Sequence, residues 1–249
     1  MRRVILITVY LLCIFVVTVP AEGTQTYSVP FKGQAQTVHY ELILPKGDHL
    51  KKVPVLVCVG GLPIIDGRYV HSDPRECTGE TWERFAEEYG VAILGVGFLF
   101  DQKQWDAKES YQYPKVWSGK ALKEILKKLA KENPIDPKNL YLFGISAGAQ
   151  FSVRYAFFQP KAVKAVAAHA AGGYDEPKTH INTKFLITVG SADNQVISRL
   201  DWAKYFVKFA RDKDIDVEFA VMDGLGHRQT EEQNILSRQF FGEVLRNQL

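Results

Sequence analysis

Cysteine is scarce, with 3 in 249 residues, and histidine little more frequent at 6. So few cysteines cannot form the framework of a disulfide scaffold. There is no H-E-x-x-H motif and no close His/Cys cluster, so no metal or organic cofactor is implied. An excess of one charge is also lacking. Lys and Arg number 31 against 28 Asp and Glu, a net +3. That balance demands neither nucleic acid nor an acidic membrane as partner. Glycine and proline, at 19 and 11, are too few for a collagen-like chain, and 46% apolar residues exclude disorder. A chain of this length buries well over half of its extended surface, so a core is expected.

Apolar runs of full membrane-spanning length are missing too. The longest, Val4 to Val19, follows Arg2 and Arg3 and leads into Pro20-Ala21-Glu22. A basic start, an apolar stretch and small residues at the exit describe a secretory signal peptide, residues 1–21, cut after Ala21. The run falls short of the roughly 20 residues of a membrane span, although an uncleaved anchor is the competing reading. Cleavage removes two arginines and lowers the net charge from +3 to +1. Residues 22–249 are then a single secreted or periplasmic domain with no membrane attachment. Cys58 and Cys77 stay in it. Cys58 lies in an apolar strand run and reads better as a small buried hydrophobe than as half of a disulfide. Linear spacing says nothing about pairing geometry.

The remaining chain alternates strand and helix. Gln36 to Leu44 has the two-residue period, with Val38, Tyr40, Leu42 and Leu44 on one face. Val53 to Val59 and Val91 to Val96 are continuous apolar runs, as strands buried on both faces require. Thr81 to Tyr89 reads as a helix. Ser118 caps another, with Leu122, Ile125, Leu126 and Leu129 on one face and Asn133-Pro134 as its stop. Strands follow at Leu140 to Phe143, Val163 to Ala168, Lys184 to Val189 and Val217 to Val221. Helices follow at Ala147 to Phe158, Leu200 to Arg211 and Thr230 to Leu245, the last opened by a Thr230/Gln233 capping box. This order predicts an α/β fold. It has a mostly parallel sheet, antiparallel at its start, with helices on both faces.

Gly144-Ile145-Ser146-Ala147-Gly148 matches G-x-S-x-G between a strand and a helix. A sharp strand-to-helix turn exposes the serine hydroxyl above a helix N-terminus. A serine is a weak nucleophile without a base, and the base needs a carboxylate to orient it. His227 stands in Gly226-His227 after the last strand, and Asp193 in Gly190-Ser191-Ala192-Asp193 after the strand before. The order Ser146, Asp193, His227 is the order of α/β-hydrolases. Asp223 is a rival acid whose bland role is turn formation. An oxyanion hole would take backbone N–H groups from Ala147 and from Gly61 or Leu62, since Pro63 has none to give.

On these motifs the chain resembles secreted esterases of the α/β-hydrolase superfamily. The likeness is to the polyhydroxybutyrate-depolymerase-like and feruloyl or acetyl-xylan esterase groups. Val55 to Gly61 and Asn133 to Tyr141 also carry it. One departure is Val59, where many such enzymes have histidine. The resemblance implies a serine carboxylic-ester hydrolase acting on small or polymeric esters, without cofactor. A serine peptidase and a non-catalytic binding protein on the same fold are the alternatives. The connection His169 to Thr183 is too short for an inserted cap domain, which favours an open site. Trp105, Tyr113 and Trp117 in the long loop after Val96, together with His169, are candidate substrate contacts. Phe98, Phe100 and Tyr111 share that loop, where aromatics either stack on substrate or pin the loop down.

Overall fold

The structure, a computed structural model, describes residues 23–47, 51–62, 64–65, 68–69, 71–99, 107–194 and 198–247. The signal segment 1–21, Trp105 and Phe100 lie outside the described residues. Strands β1 (Gln25–Phe31), β2 (Gln34–Ile43) and β3 (Val53–Val59) come first, then the short strands β4 (Ile64–Ile65) and β5 (Arg68–Tyr69). Helix α1 (Glu80–Tyr89), strand β6 (Ala92–Gly97), helix α2 (Ser118–Glu132) and strand β7 (Ile135–Ile145) follow. The chain continues through α3 (Ala147–Phe158), β8 (Val163–His169), β9 (Lys184–Gly190), α4 (Arg199–Arg211), β10 (Val217–Met222) and α5 (Glu231–Arg246).

Eight strands form one sheet in the order β1-β2-β6-β3-β7-β8-β9-β10, and β4 pairs with β5 apart from it. β1 and β2 are antiparallel, and β2 runs antiparallel to β6. Every pairing from β6 to β10 is parallel. The expected sheet is therefore present, antiparallel at its start, with no cap domain among the described residues.

Alternation along β3 feeds two cores. Val55, Val57 and Val59 face the layer of α2, α3 and α4, among Leu122, Phe151 and Phe206. Leu56 and Cys58 face the layer of α1 and α5, among Trp82 and Phe241. Helix α5 begins with the expected box: Gln233 N–H donates to the Thr230 hydroxyl, and the Thr230 N–H donates to the Gln233 side chain. Helix α2 differs. Ser118 is its first residue rather than its cap, and the hydroxyl donates to the Tyr111 carbonyl at 2.7 Å.

The cysteines also depart from expectation. Cys58 and Cys77 are joined in a disulfide, with Cα atoms 5.9 Å apart. The cause is tertiary. The Ser72–Pro74 backbone lies flat on β6, where a Cβ on Gly95 would fall 1.4 Å from the Pro74 carbonyl oxygen. Only glycine permits that approach. It carries the following Cys77 over the end of β3, a proximity no spacing rule contains. The bridge closes a loop across 19 positions. Replacing both cysteines with alanine should cost about 3 kcal/mol, read as a lower denaturant midpoint; an unchanged midpoint would show that the bridge adds nothing.

Candidate active site

Ser146 sits between β7 and α3 with φ 53° and ψ −115°. Such a backbone costs a non-glycine residue roughly 1–3 kcal/mol and persists only when its surroundings enforce it. The Ser146 N–H donates to the His169 carbonyl at 2.8 Å, and its carbonyl accepts from the Gln150 N–H at 3.1 Å. Serine at a helix start normally caps the helix with its hydroxyl. This one makes no such bond, because the turn aims its side chain away from the helix. The amide N–H groups of the first helical turn, including Ala147, lack partners within the helix and carry partial positive charge.

The hydroxyl meets His227 instead: Nε2 lies 3.0 Å from Ser146 Oγ. On the other side of the ring, Nδ1 lies 2.9 Å from Asp193 Oδ2. Asp193 is fully buried, and its second oxygen accepts from Arg199 Nη1 at 2.9 Å. Ionised carboxylate accepts only, so Nδ1 donates and Nε2 is left to accept from the serine. The loops bearing acid and imidazole are laced together. Ser191 N–H donates to the Met222 carbonyl, Ala192 N–H to that of Leu225, and Gly224 N–H to the Ser191 hydroxyl. Asp223 accepts from that hydroxyl at 3.2 Å and serves the turn, while Asp193 is the acid brought to the imidazole.

Gly61 lies beside the serine: a Cβ built on it would stand 3.5 Å from the Ser146 Cβ. Leu62 packs its side chain against the core. The strand end before them is held by Tyr111, whose phenol donates to the Gly60 carbonyl at 3.2 Å. Burial raises the Tyr111 phenol's pKa, with Glu76 adding to the effect, so the phenol keeps its proton. Among the described residues, no group of three or more His, Cys, Asp or Glu side chains is arranged to hold a metal ion.

Two candidate substrate contacts are corrected. Trp117 is buried beside Phe98, and its indole N–H donates to the Glu109 carbonyl. His169 is buried behind the elbow. Its Nδ1 lies 2.6 Å from the Thr188 hydroxyl and its Nε2 2.7 Å from that of Ser237. Ser237 donates to the Gln233 carbonyl, so Nε2 carries the ring proton; Thr188, which accepts from Gln233 Nε2, donates to Nδ1. Periodicity cannot separate such a core aromatic from a pocket one. Of the three candidates among the described residues, Tyr113 lines a cleft. It stacks on the Arg154 guanidinium, 4.2 Å from the ring centre. That cleft, about 490 Å³, also takes in Pro114, Phe157, Asp175 and Ile181. Arg154 stands eight residues along α3 from Ser146, about 12 Å at helical rise.

The chain matches the family model Esterase, described as "Putative esterase", over residues 33–197, more than half of its length. The chain belongs to the Esterase family. It is accordingly a carboxylic-ester hydrolase. The matched span holds Ser146 and Asp193 and ends before His227. No curated protein matches it. Solved structures share its fold. An S-formylglutathione hydrolase from Agrobacterium tumefaciens superposes with TM-score 0.65 at 15% identity, covering 90% of this chain and 94% of that one. A Staphylococcus aureus S-formylglutathione hydrolase gives 0.59 at 15%, covering 89% and 97%. A ferulic acid esterase from Anaeromyces mucronatus, solved with ferulic acid, gives 0.62 at 17%, covering 89% and 88%.

Burial lowers the His169 pKa from 6.5 to about 3, so the folded esterase keeps this ring neutral where the unfolded chain protonates it. The folded value is depressed, so its stability contribution is whole above pH 6.5 and declines as pH falls from there towards 3. Each pH unit in that window should remove about 1.4 kcal/mol. Unfolding free energies measured from pH 7 to pH 4 should fall more steeply for the wild type than for His169→Gln. Parallel slopes would contradict the buried neutral ring.

Proposed function

We propose that this esterase is a secreted serine hydrolase acting through an acyl-enzyme. The observation that carries this reading is the unbroken chain from Ser146 Oγ through His227 to the buried Asp193, at 3.0 and 2.9 Å. Ser146 attacks the ester carbonyl while His227 Nε2 takes its proton. The developing oxyanion is held by the Ala147 N–H and by that of Gly61 or Leu62. His227 then gives the proton to the leaving alcohol. Asp193 holds the imidazole tautomer and stabilises the imidazolium. Water enters in place of the alcohol, His227 removes its proton, and collapse of the second tetrahedral adduct returns Ser146 and the free acid.

Secretion is supported by the apolar N-terminal run and by the disulfide, which persists in oxidising compartments. Residues 22–249 are then the mature single domain, after cleavage at Ala21. The preferred substrates are carbohydrate-linked acetyl or feruloyl esters, or a polymeric ester. The short β8–β9 connection supports this, offering an open approach to the serine. The solved neighbour that binds ferulic acid agrees in fold.

Ser146→Ala should lower turnover of an activated short-chain ester by roughly a thousandfold or more while the melting curve stays cooperative. Wild-type turnover in that variant would end the serine assignment. Across acetylated xylan, feruloylated arabinoxylan and a short polyester, at least one should be hydrolysed with higher kcat/KM than the small ester. A uniform preference for the small ester would remove the polymer proposal.

A further inference from the structure

Asp193 has no exposed surface, and its two oxygens have different partners. Oδ2 faces His227 Nδ1 and Oδ1 faces Arg199 Nη1, each at 2.9 Å. Arg199 is the first residue of α4, and its side chain is only 15% exposed. A pair this enclosed is not a screened surface ion pair.

We infer that Arg199 is a positioning residue for ester hydrolysis, acting on Ser146 only through Asp193 and His227. The inference rests on the acyl-enzyme reading above. The guanidinium holds the carboxylate at a second point, so rotation about Cβ–Cγ is removed and Oδ2 stays on Nδ1. With Oδ2 as the acceptor there, Nδ1 keeps the ring proton and Nε2 faces the serine it must deprotonate. The imidazole needs that hold, because its side chain is 33% exposed and packing does not fix it.

Arg199 therefore acts as an aligner of Asp193, and losing it affects the chemical step rather than ester binding.

The test is a double-mutant cycle on the full-length enzyme. It uses Arg199→Met, Arg199→Lys, Asp193→Ala and the double variant, with kcat and KM taken per folded protein by circular dichroism. Arg199→Met should lower kcat by about ten- to a hundredfold, the loss of one charge-assisted hydrogen bond, with KM changed less than about twofold. Arg199→Lys should recover kcat to within about fivefold of wild type, because the charge returns. In the Asp193→Ala background, Arg199→Met should change kcat less than about twofold, since no carboxylate remains to align. Unimpaired kcat in Arg199→Met, or the same fold loss with and without Asp193, overturns the proposal. Ser146→Ala, run alongside, separates the failures. If it retains turnover, the serine reading falls and this proposal with it. If it is inactive while Arg199→Met is unimpaired, only the role of Arg199 falls.

Discussion

At position 148 a side chain has nowhere to go. A Cβ there would lie 1.9 Å from the Val59 carbonyl oxygen and 2.5 Å from that of Gly60. The backbone of α3 is thus pressed directly on the carboxyl end of β3, with no side chain between. That contact sets how far the chain must turn after β7, and the turn is what forces Ser146 to a φ of 53°. Helix N-terminus, serine hydroxyl and the Gly60-Gly61 strand end consequently share one small volume. Ala170, just past the neighbouring β8, is held at a φ of 50°, and its N–H donates to the Thr188 carbonyl. Two strained residues side by side are stable because the sheet over-determines both.

The other parts of the site arrive by the same logic of parallel strands. β7, β9 and β10 all point their carboxyl ends to one rim of the sheet, so the residues that follow them meet there. Asp193 follows β9 directly, and its loop is bonded to the loop that carries His227. Behind the elbow, the neutral His169 joins Thr188 on β9 to Ser237 and Gln233 on α5. The helix after His227 is therefore anchored to the strand before Asp193. Each polar group in that cluster has a partner, and such a network specifies one arrangement of the elements it joins.

Much of this was legible in the sequence where the signal is local. The G-x-S-x-G turn, the helix Ala147–Phe158 and the Thr230/Gln233 box depend on neighbours within a few residues, and the structure places them as read. Residues whose roles depend on distant chain were not legible. Trp117 looks like a loop aromatic and His169 like a strand-end residue beside a site, and only tertiary burial puts them in the core. The Cys58–Cys77 pairing depends on a loop crossing over Gly95. Strand β1 and the β4–β5 hairpin lack a strong two-residue pattern of apolar residues. Arg199 escaped for a related reason. A cation opening a helix six positions after an acid reads as a solvated face, and nothing in the sequence says that both side chains are enclosed.

The central claim is that Ser146 carries the acyl group between two halves of the reaction. Intact-mass measurement after rapid acid quench of the enzyme mixed with an excess of a feruloyl or other slowly deacylating ester tests it directly. The account predicts a transient species heavier by one acyl group, with the added mass on the peptide containing Ser146, appearing before steady state and absent in Ser146→Ala. Hydrolysis proceeding at full rate with no acylated species, or acylation at another residue, would contradict it.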